Sequence, residues 1–103
     1  MKIALVDDEQ KCLDEIKLLC GSFEEDTGYP VETVLFDSGE TFLAAFEAGC
    51  FDLVFMDIYM DGMDGVTAAL EMRRKDNGCL LVFLTSSIEF MPDAFSCHAF
   101  EYV

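Results

Sequence analysis

The sequence predicts an open, doubly wound α/β domain, and three observations point to it. Short runs are apolar at nearly every position, stretches of helical period lie between them, and 103 residues suit one domain with a single core. Strands apolar on both sides belong to a parallel sheet covered on both faces, joined by right-handed crossovers.

Residues 2–6 form the first strand candidate. From 9 to 23, Leu13, Ile16, Cys20 and Phe23 step by three, four and three, which is one face of a helix. Gly28-Tyr29-Pro30 breaks the chain. Val31 to Phe36, rich in β-branched and aromatic residues, is a second strand. Ser38 suits the N-cap of a helix carrying Phe42, Ala45 and Phe46 on one side and stopping near Gly49. Asp52 to Met56 is a third strand that ends at Asp57, and a loop with Gly62 and Gly65 follows. Val66, Ala69 and Leu70 belong to a third helix, closed by Arg73, Arg74 and Lys75 at its negative end. Asn77-Gly78 turns the chain into a fourth strand, Leu80 to Leu84. Pro92 opens a short helix through Phe95, and Ala99 to Val103 begins a fifth strand.

Composition narrows the function classes. The apolar fraction is 52%, which argues for a packed protein. The net charge of −15 argues against this segment gripping nucleic acid directly, because phosphate binding needs clustered Lys and Arg. It also disfavours an anionic membrane surface. No apolar stretch reaches bilayer length, and the apolar run at the N-terminus is too short for a signal peptide, so a soluble cytoplasmic protein is expected. Cys12, Cys20, Cys50, Cys79 and Cys97 are odd in number and hold no C-x-x-C pair, which fits neither a disulfide framework nor a thiolate zinc site. Cys12 and Cys20 read as small buried hydrophobes.

In open α/β sheets, ligands sit beyond the carboxyl ends of the strands. Asp7 and Asp8 follow strand one, Asp57 follows strand three, and Thr85 and Ser86 follow strand four. A single aspartate after a strand is ordinarily a turn former or cap; the convergence of three carboxylates and a hydroxyl on one edge carries more weight. Carboxylates this close resist ionising together unless a cation compensates. Mg²⁺ suits the set, being hard, oxygen-seeking and satisfied by a few carboxylates plus waters and a phosphate. A carboxylate beside it can attack phosphorus as a nucleophile. Thr85 could donate a hydrogen bond to a phosphate oxygen and draw its loop inward.

Val6-Asp7-Asp8-Glu9, Met56-Asp57-Ile58-Tyr59-Met60, Met63-Asp64-Gly65, Leu84-Thr85-Ser86 and Tyr102 resemble, in order and spacing, the receiver domains of bacterial response regulators. The resemblance covers the whole chain, 1–103, and implies a flavodoxin-like sheet of five parallel strands in the order 2-1-3-4-5. It implies Asp57 as phosphoacceptor for a sensor histidine kinase. It also implies Mg²⁺ held by Asp8, Asp57 and the backbone carbonyl of Tyr59 with Asp7 assisting, Thr85 as switch hydroxyl, and Tyr102 as the aromatic that packs inward when Thr85 moves. Gly65 would keep the loop after Asp57 tight. Such a domain phosphorylates itself and is not a turnover enzyme. Ala94-Phe95 through His98-Ala99-Phe100-Glu101-Tyr102 resembles the branch that carries a LytTR-type DNA-binding domain. DNA would then be contacted only through residues beyond this chain, and a homodimer is among the expected assemblies.

Two departures from the family pattern stand out. Asp61 occupies the usual proline position, and the lysine and proline expected shortly after Tyr102 are not reached, because the sequence stops at Val103. The expectation is therefore a fragment truncated before the last helix. Its uncovered apolar face near strands one and five would favour self-association or a disordered end.

Rival readings are weaker. An aspartate-nucleophile phosphohydrolase wants a second carboxylate two residues after the nucleophile on strand one, where this chain has adjacent Asp7 and Asp8 and then Glu9. An EF-hand loop starting at Asp57 fails at Tyr59 and Ala68. A flavin carrier lacks a Ser/Thr/Gly-rich phosphate loop after strand one. A receiver-like interaction module that takes no phosphate is the remaining alternative. His98 reads as a cap or surface residue. Met56, Met60, Met63 and Met91 read as core or loop filler, and Phe42 and Phe46 as core.

Overall fold

A computed structural model of the chain describes residues 1–60 and 62–84 and the backbone of 101–102. Readings that concern Asp61, Thr85, Ser86, Met91, Cys97, His98, the Pro92–Phe95 helix and the Tyr102 side chain lie outside the described residues.

The elements alternate as β1 (Lys2–Val6), α1 (Gln10–Thr27), β2 (Glu32–Phe36), α2 (Gly39–Ala45), β3 (Leu53–Asp57), α3 (Gly65–Lys75) and β4 (Leu80–Leu84). The four strands lie parallel in the order β2-β1-β3-β4. The two-residue β5 (Glu101–Tyr102) pairs parallel with β4, opposite Val82 and Phe83. Strand number changes direction between β1 and β3, so the switch point of the sheet lies at their carboxyl ends.

Strand alternation sorts side chains between two covers. Ala4 and Val6 of β1, Val54 and Met56 of β3, and Leu81 and Phe83 of β4 pack with Phe42, Phe46, Val66, Ala69 and Met72 on the α2 and α3 side. The rings of Phe42 and Phe46 lie 5.3 Å apart there, within the range of favourable aromatic pairs. Ile3 and Leu5 meet Leu13 and Cys20 of α1 on the other side, with Leu53 and Phe55 only partly covered. Between α1 and this face lies an apolar cavity of about 340 Å³, lined in part by Ile3, Ile16, Phe23, Phe55 and Leu84.

Helix ends follow their residues. Gly28 adopts φ 75°, a left-handed cap that lets its N–H reach the Glu24 carbonyl at 2.8 Å. Ser38 Oγ accepts the Thr41 N–H at 3.1 Å, as expected of an N-cap. Asp64 does the same for Thr67 N–H at 2.8 Å and starts α3.

Several sequence expectations need correction. The second helix ends at Ala45, not near Gly49, and Ala45 is exposed; Phe46, at the C-cap, is buried by an extended backbone that turns it beside Phe42. Leu70 and Phe23 are 45% and 44% exposed, so the buried stripe of α3 runs through Val66, Ala69 and Met72, and that of α1 fades toward its C-terminal end. Cys20 is buried, but Cys12 is only half-buried, because it stands at the rim of the strand ends. Met56 and Met60 are buried and Met63 packs against the core, in line with the filler reading. Among the described residues, no helix is long and apolar enough to cross a membrane.

Candidate functional site

Register brings the key aspartates level. Val6 pairs with Met56 in the β1–β3 ladder, so one further step sets Asp7 beside Asp57 across neighbouring strands. Parallel neighbours lie about 4.8 Å apart, and the period of two turns both side chains toward the α1 face with Leu5 and Phe55. The Asp7 N–H bonds the Phe36 carbonyl at 3.1 Å, which extends the β1–β2 ladder by one step and anchors that backbone. Asp8 follows at the turn into α1. Carboxylate oxygens of Asp7, Asp8 and Asp57 all lie within 4.8 Å of one another.

Burial and charge make this cluster tense. Asp7 is 4% exposed, Asp57 half-buried and Asp8 exposed. Burial, then the neighbouring charge of Asp7, pushes the Asp57 carboxyl up to about 7, against the opposing pull of the Tyr59 N–H. That N–H donates to Asp57 Oδ1 at 3.3 Å. Asp7 is also raised, first by burial and further by Asp8 and Glu9, although its Oδ1 accepts the Glu9 N–H at 2.9 Å. Hard oxygen donors at this spacing, with protonation the alternative to a counter-charge, fit a small divalent cation such as Mg²⁺.

The loop after β3 is held close. Gly65 N–H donates to the Ile58 carbonyl at 2.8 Å. A Cβ at Gly65 would strike the Asp57 carbonyl oxygen and lie 2.8 Å from its carbon and 2.9 Å from Ile58 Cα. Only glycine allows α3 to start this near the third strand.

A concavity of about 280 Å³ opens beside the aspartates, lined by Asp7, Glu9, Cys12, Glu15, Ile16, Asp57 and Leu84. The sequence reading did not assign Glu9, Cys12 and Glu15 to the site. The available signal was helical spacing, since Glu9 directly follows Asp7 and Asp8 and Cys12 lies one turn further on. Cys12 Sγ lies 3.5 Å from Glu9 Oε2, and its thiol is pushed up to about 11 by burial and then by Asp7, so it is a poor nucleophile here.

Of the predicted site residues, the structure brings together Asp7, Asp8, Asp57 and the backbone of Tyr59. Thr85 follows Leu84, which pairs with Asp57 in the β3–β4 ladder.

Comparison with known proteins shows the family and the fold. The family model described as "Response regulator receiver domain" matches residues 3–103. The positive alginate biosynthesis regulatory protein of Pseudomonas aeruginosa is 29% identical over 103 residues, covering 100% of this chain and 40% of that protein. The regulatory protein AtoC of Escherichia coli is 33% identical over 104 residues, covering 99% of this chain and 21% of its own length. The chain thus spans less than half the length of these relatives. Among solved structures, the response regulator TrrA of Thermotoga maritima in complex with Mg(2+)-BeF superimposes with a TM-score of 0.76 at 33% identity, covering 99% of this chain and 84% of that one. The response regulatory domain of MrkE from Klebsiella pneumoniae gives 0.80 at 29% identity, covering 100% and 81%. These relatives are signalling proteins and not turnover enzymes, and the chain belongs to the response regulator receiver domain family.

Proposed function

We propose that this receiver domain, spanning residues 1–103, accepts a phosphoryl group on Asp57 from a sensor histidine kinase and relays the change to an output, transcriptional in kind. The observation that carries the reading is the meeting of Asp7, Asp8 and Asp57 oxygens within 4.8 Å at the switch point of the sheet. TrrA, solved with Mg(2+)-BeF, supports the choice of cation.

Asp7, Asp8, Asp57 and the Tyr59 carbonyl would hold Mg²⁺, which when bound neutralises charge on the transferring group. An ionised Asp57 oxygen forms the new bond to phosphorus while the bond from phosphorus to the donor breaks, and the leaving group keeps that electron pair. Asp7, anchored by its own N–H and by the Glu9 amide, keeps the cation side of the pocket in place. The Tyr59 N–H fixes one Asp57 oxygen, which orients the other. Thr85, one step beyond the residue level with Asp57, is read as the switch hydroxyl. Tyr102, whose backbone pairs with Phe83, is read as the aromatic switch at a fifth strand. A LytTR-type output domain, contact with DNA through it, homodimer formation and a cytoplasmic setting belong to the same proposal.

Intact mass after incubation with Mg²⁺ and acetyl phosphate tests it. One labile phosphoryl group is expected on the wild-type chain, none on Asp57→Asn, and none when EDTA is present. An unmodified wild-type chain that still binds Mg²⁺ would favour an interaction module that takes no phosphate.

A further inference from the structure

The loop between β3 and α3 is fastened from outside by a residue that none of the proposed roles includes. Glu40, the second residue of α2, is exposed, yet its Oε1 accepts the Met63 N–H at 3.2 Å across 23 positions of sequence. Its Oε2 lies 3.0 Å from where a Cβ on Gly62 would stand, and Gly62 holds φ 77°. The Met63 side chain then packs onto the same turn of α2: its Sδ and Cγ lie 3.3 and 3.4 Å from the Cβ position of Gly39, with Ala68 Cβ at 3.2 Å. The loop is therefore pinned twice, by Gly65 N–H on the Ile58 carbonyl and by Glu40 on the Met63 N–H. Tyr59 lies in the same span.

We propose that Glu40 is a positioning residue for the phosphoryl-transfer site: its carboxylate holds the loop after β3 so that the Tyr59 carbonyl faces the cation bound by Asp7, Asp8 and Asp57. The inference rests on the functional reading above. Glu40 touches neither the aspartates nor the reacting atoms; it acts through Met63 and, two residues on, the Gly65 N–H that holds the Ile58 carbonyl beside Tyr59. A charged acceptor on a backbone N–H is one of the stronger hydrogen bonds, though exposure to water reduces its net worth.

Hydrogen exchange of the metal-free chain and Mg²⁺ titration by calorimetry test it together. Glu40→Ala is expected to speed amide exchange across 58–65 several-fold while leaving β3 protected, and to weaken Mg²⁺ binding by roughly three- to tenfold. Glu40→Gln keeps an acceptor oxygen and should stay within about twofold of wild type in both readouts. Gly62→Ala, which crowds the carboxylate while leaving Glu40 in place, should move both in the same direction as Glu40→Ala. Wild-type Mg²⁺ affinity in Glu40→Ala, with or without faster exchange, overturns the positioning role while leaving the functional reading intact. Equal losses in the Ala and Gln variants also overturn it, because they would implicate charge and not the hydrogen bond. A wild-type chain that binds no Mg²⁺ removes the functional reading itself, and the role of Glu40 with it.

Discussion

The two ends of the sheet both carry aspartates, but in opposite condition. At the amino ends of the strands, Asp76 accepts three backbone N–H groups, from Gly49 at 2.8 Å, Gly78 at 2.8 Å and Cys79 at 3.2 Å. These bonds, led by the one from Gly49, hold its carboxyl below the usual carboxylate range. Asp52 likewise accepts the Lys2 N–H at 2.8 Å and joins β1 to the start of β3. At the carboxyl ends, Asp7 and Asp57 are more deeply placed, face each other, and are both raised. Carboxylates supplied with donors serve structure. Carboxylates crowded together and raised by burial and by one another favour a ligand that supplies positive charge.

The largest expected effect comes from Gly65, the residue that lets the carboxyl end be crowded at all. Gly65→Ala forces a Cβ onto the Asp57 backbone, where no flexible side chain can yield. Loss of about 3 kcal/mol of unfolding free energy is expected in urea titration, together with loss of tight Mg²⁺ binding as the Asp57 backbone is displaced. A loss below about 1 kcal/mol would mean that α3 can back away freely, and the site would be less tightly framed than this.

Asp57→Asn sharpens the comparison by relieving the tension. Without metal, the folded chain binds a proton at Asp57 that the unfolded chain has already released once pH exceeds about 4. Stability must then fall as pH rises from about 4 through about 7, where the folded-state carboxyl ionises. The Asn variant lacks this slope and should be the more stable chain at pH 8 by about 1–2 kcal/mol, after allowance for solvent screening of a half-buried group. Mg²⁺ should reverse the order, since it stabilises the wild type by mass action and should bind the variant at least about tenfold more weakly. Because cation and proton compete for the same oxygens, wild-type Mg²⁺ affinity should climb with pH up to about 7 and level off above it. Equal melting temperatures for the two metal-free chains at pH 8 would contradict the raised Asp57.

Much of this contrast could be read before any coordinates. Apolar runs and helical spacing located β1 to β4 and α1 to α3, and the rule that ligands sit past the strand ends singled out Asp7, Asp8 and Asp57. Those readings rest on periodicity and order along the chain. What they missed depends on contacts between distant segments: Glu40 reaching Met63, Asp76 reaching Gly49, and Glu9 and Cys12 lining the pocket. Periodicity also could not choose between adjacent faces of a helix. Leu70 and Ala69 are equally plausible neighbours in sequence, yet Ala69 is buried and Leu70 is 45% exposed, because the buried stripe of α3 runs through Val66, Ala69 and Met72 and Leu70 lies beside it. Sequence named the carboxylates at the carboxyl end of the sheet; only geometry found Asp76 at the other end and separates the satisfied carboxylates from the tense ones.

The smallest expected effect belongs to Asp76, and it tests the quiet half of the contrast. Asp76→Ala leaves three N–H groups of Gly49, Gly78 and Cys79 to water, and an exposed site can rehydrate much of that loss. A destabilisation of about 1–2 kcal/mol is expected near neutral pH, with Asp76→Asn recovering part of it through its remaining carbonyl oxygen. The sign of the pH dependence is opposite to that of Asp57. A lowered carboxyl contributes stability that is complete above the unfolded value near 4 and disappears as pH falls through the folded one. The gap between wild type and Asp76→Ala should therefore be flat from about pH 5 to 8 and close only in acid, and Mg²⁺ should not change it. A gap that widens with Mg²⁺ would show that the two ends of the sheet are coupled through β3 and β4, and the separation of structural from functional carboxylates would then have to be abandoned.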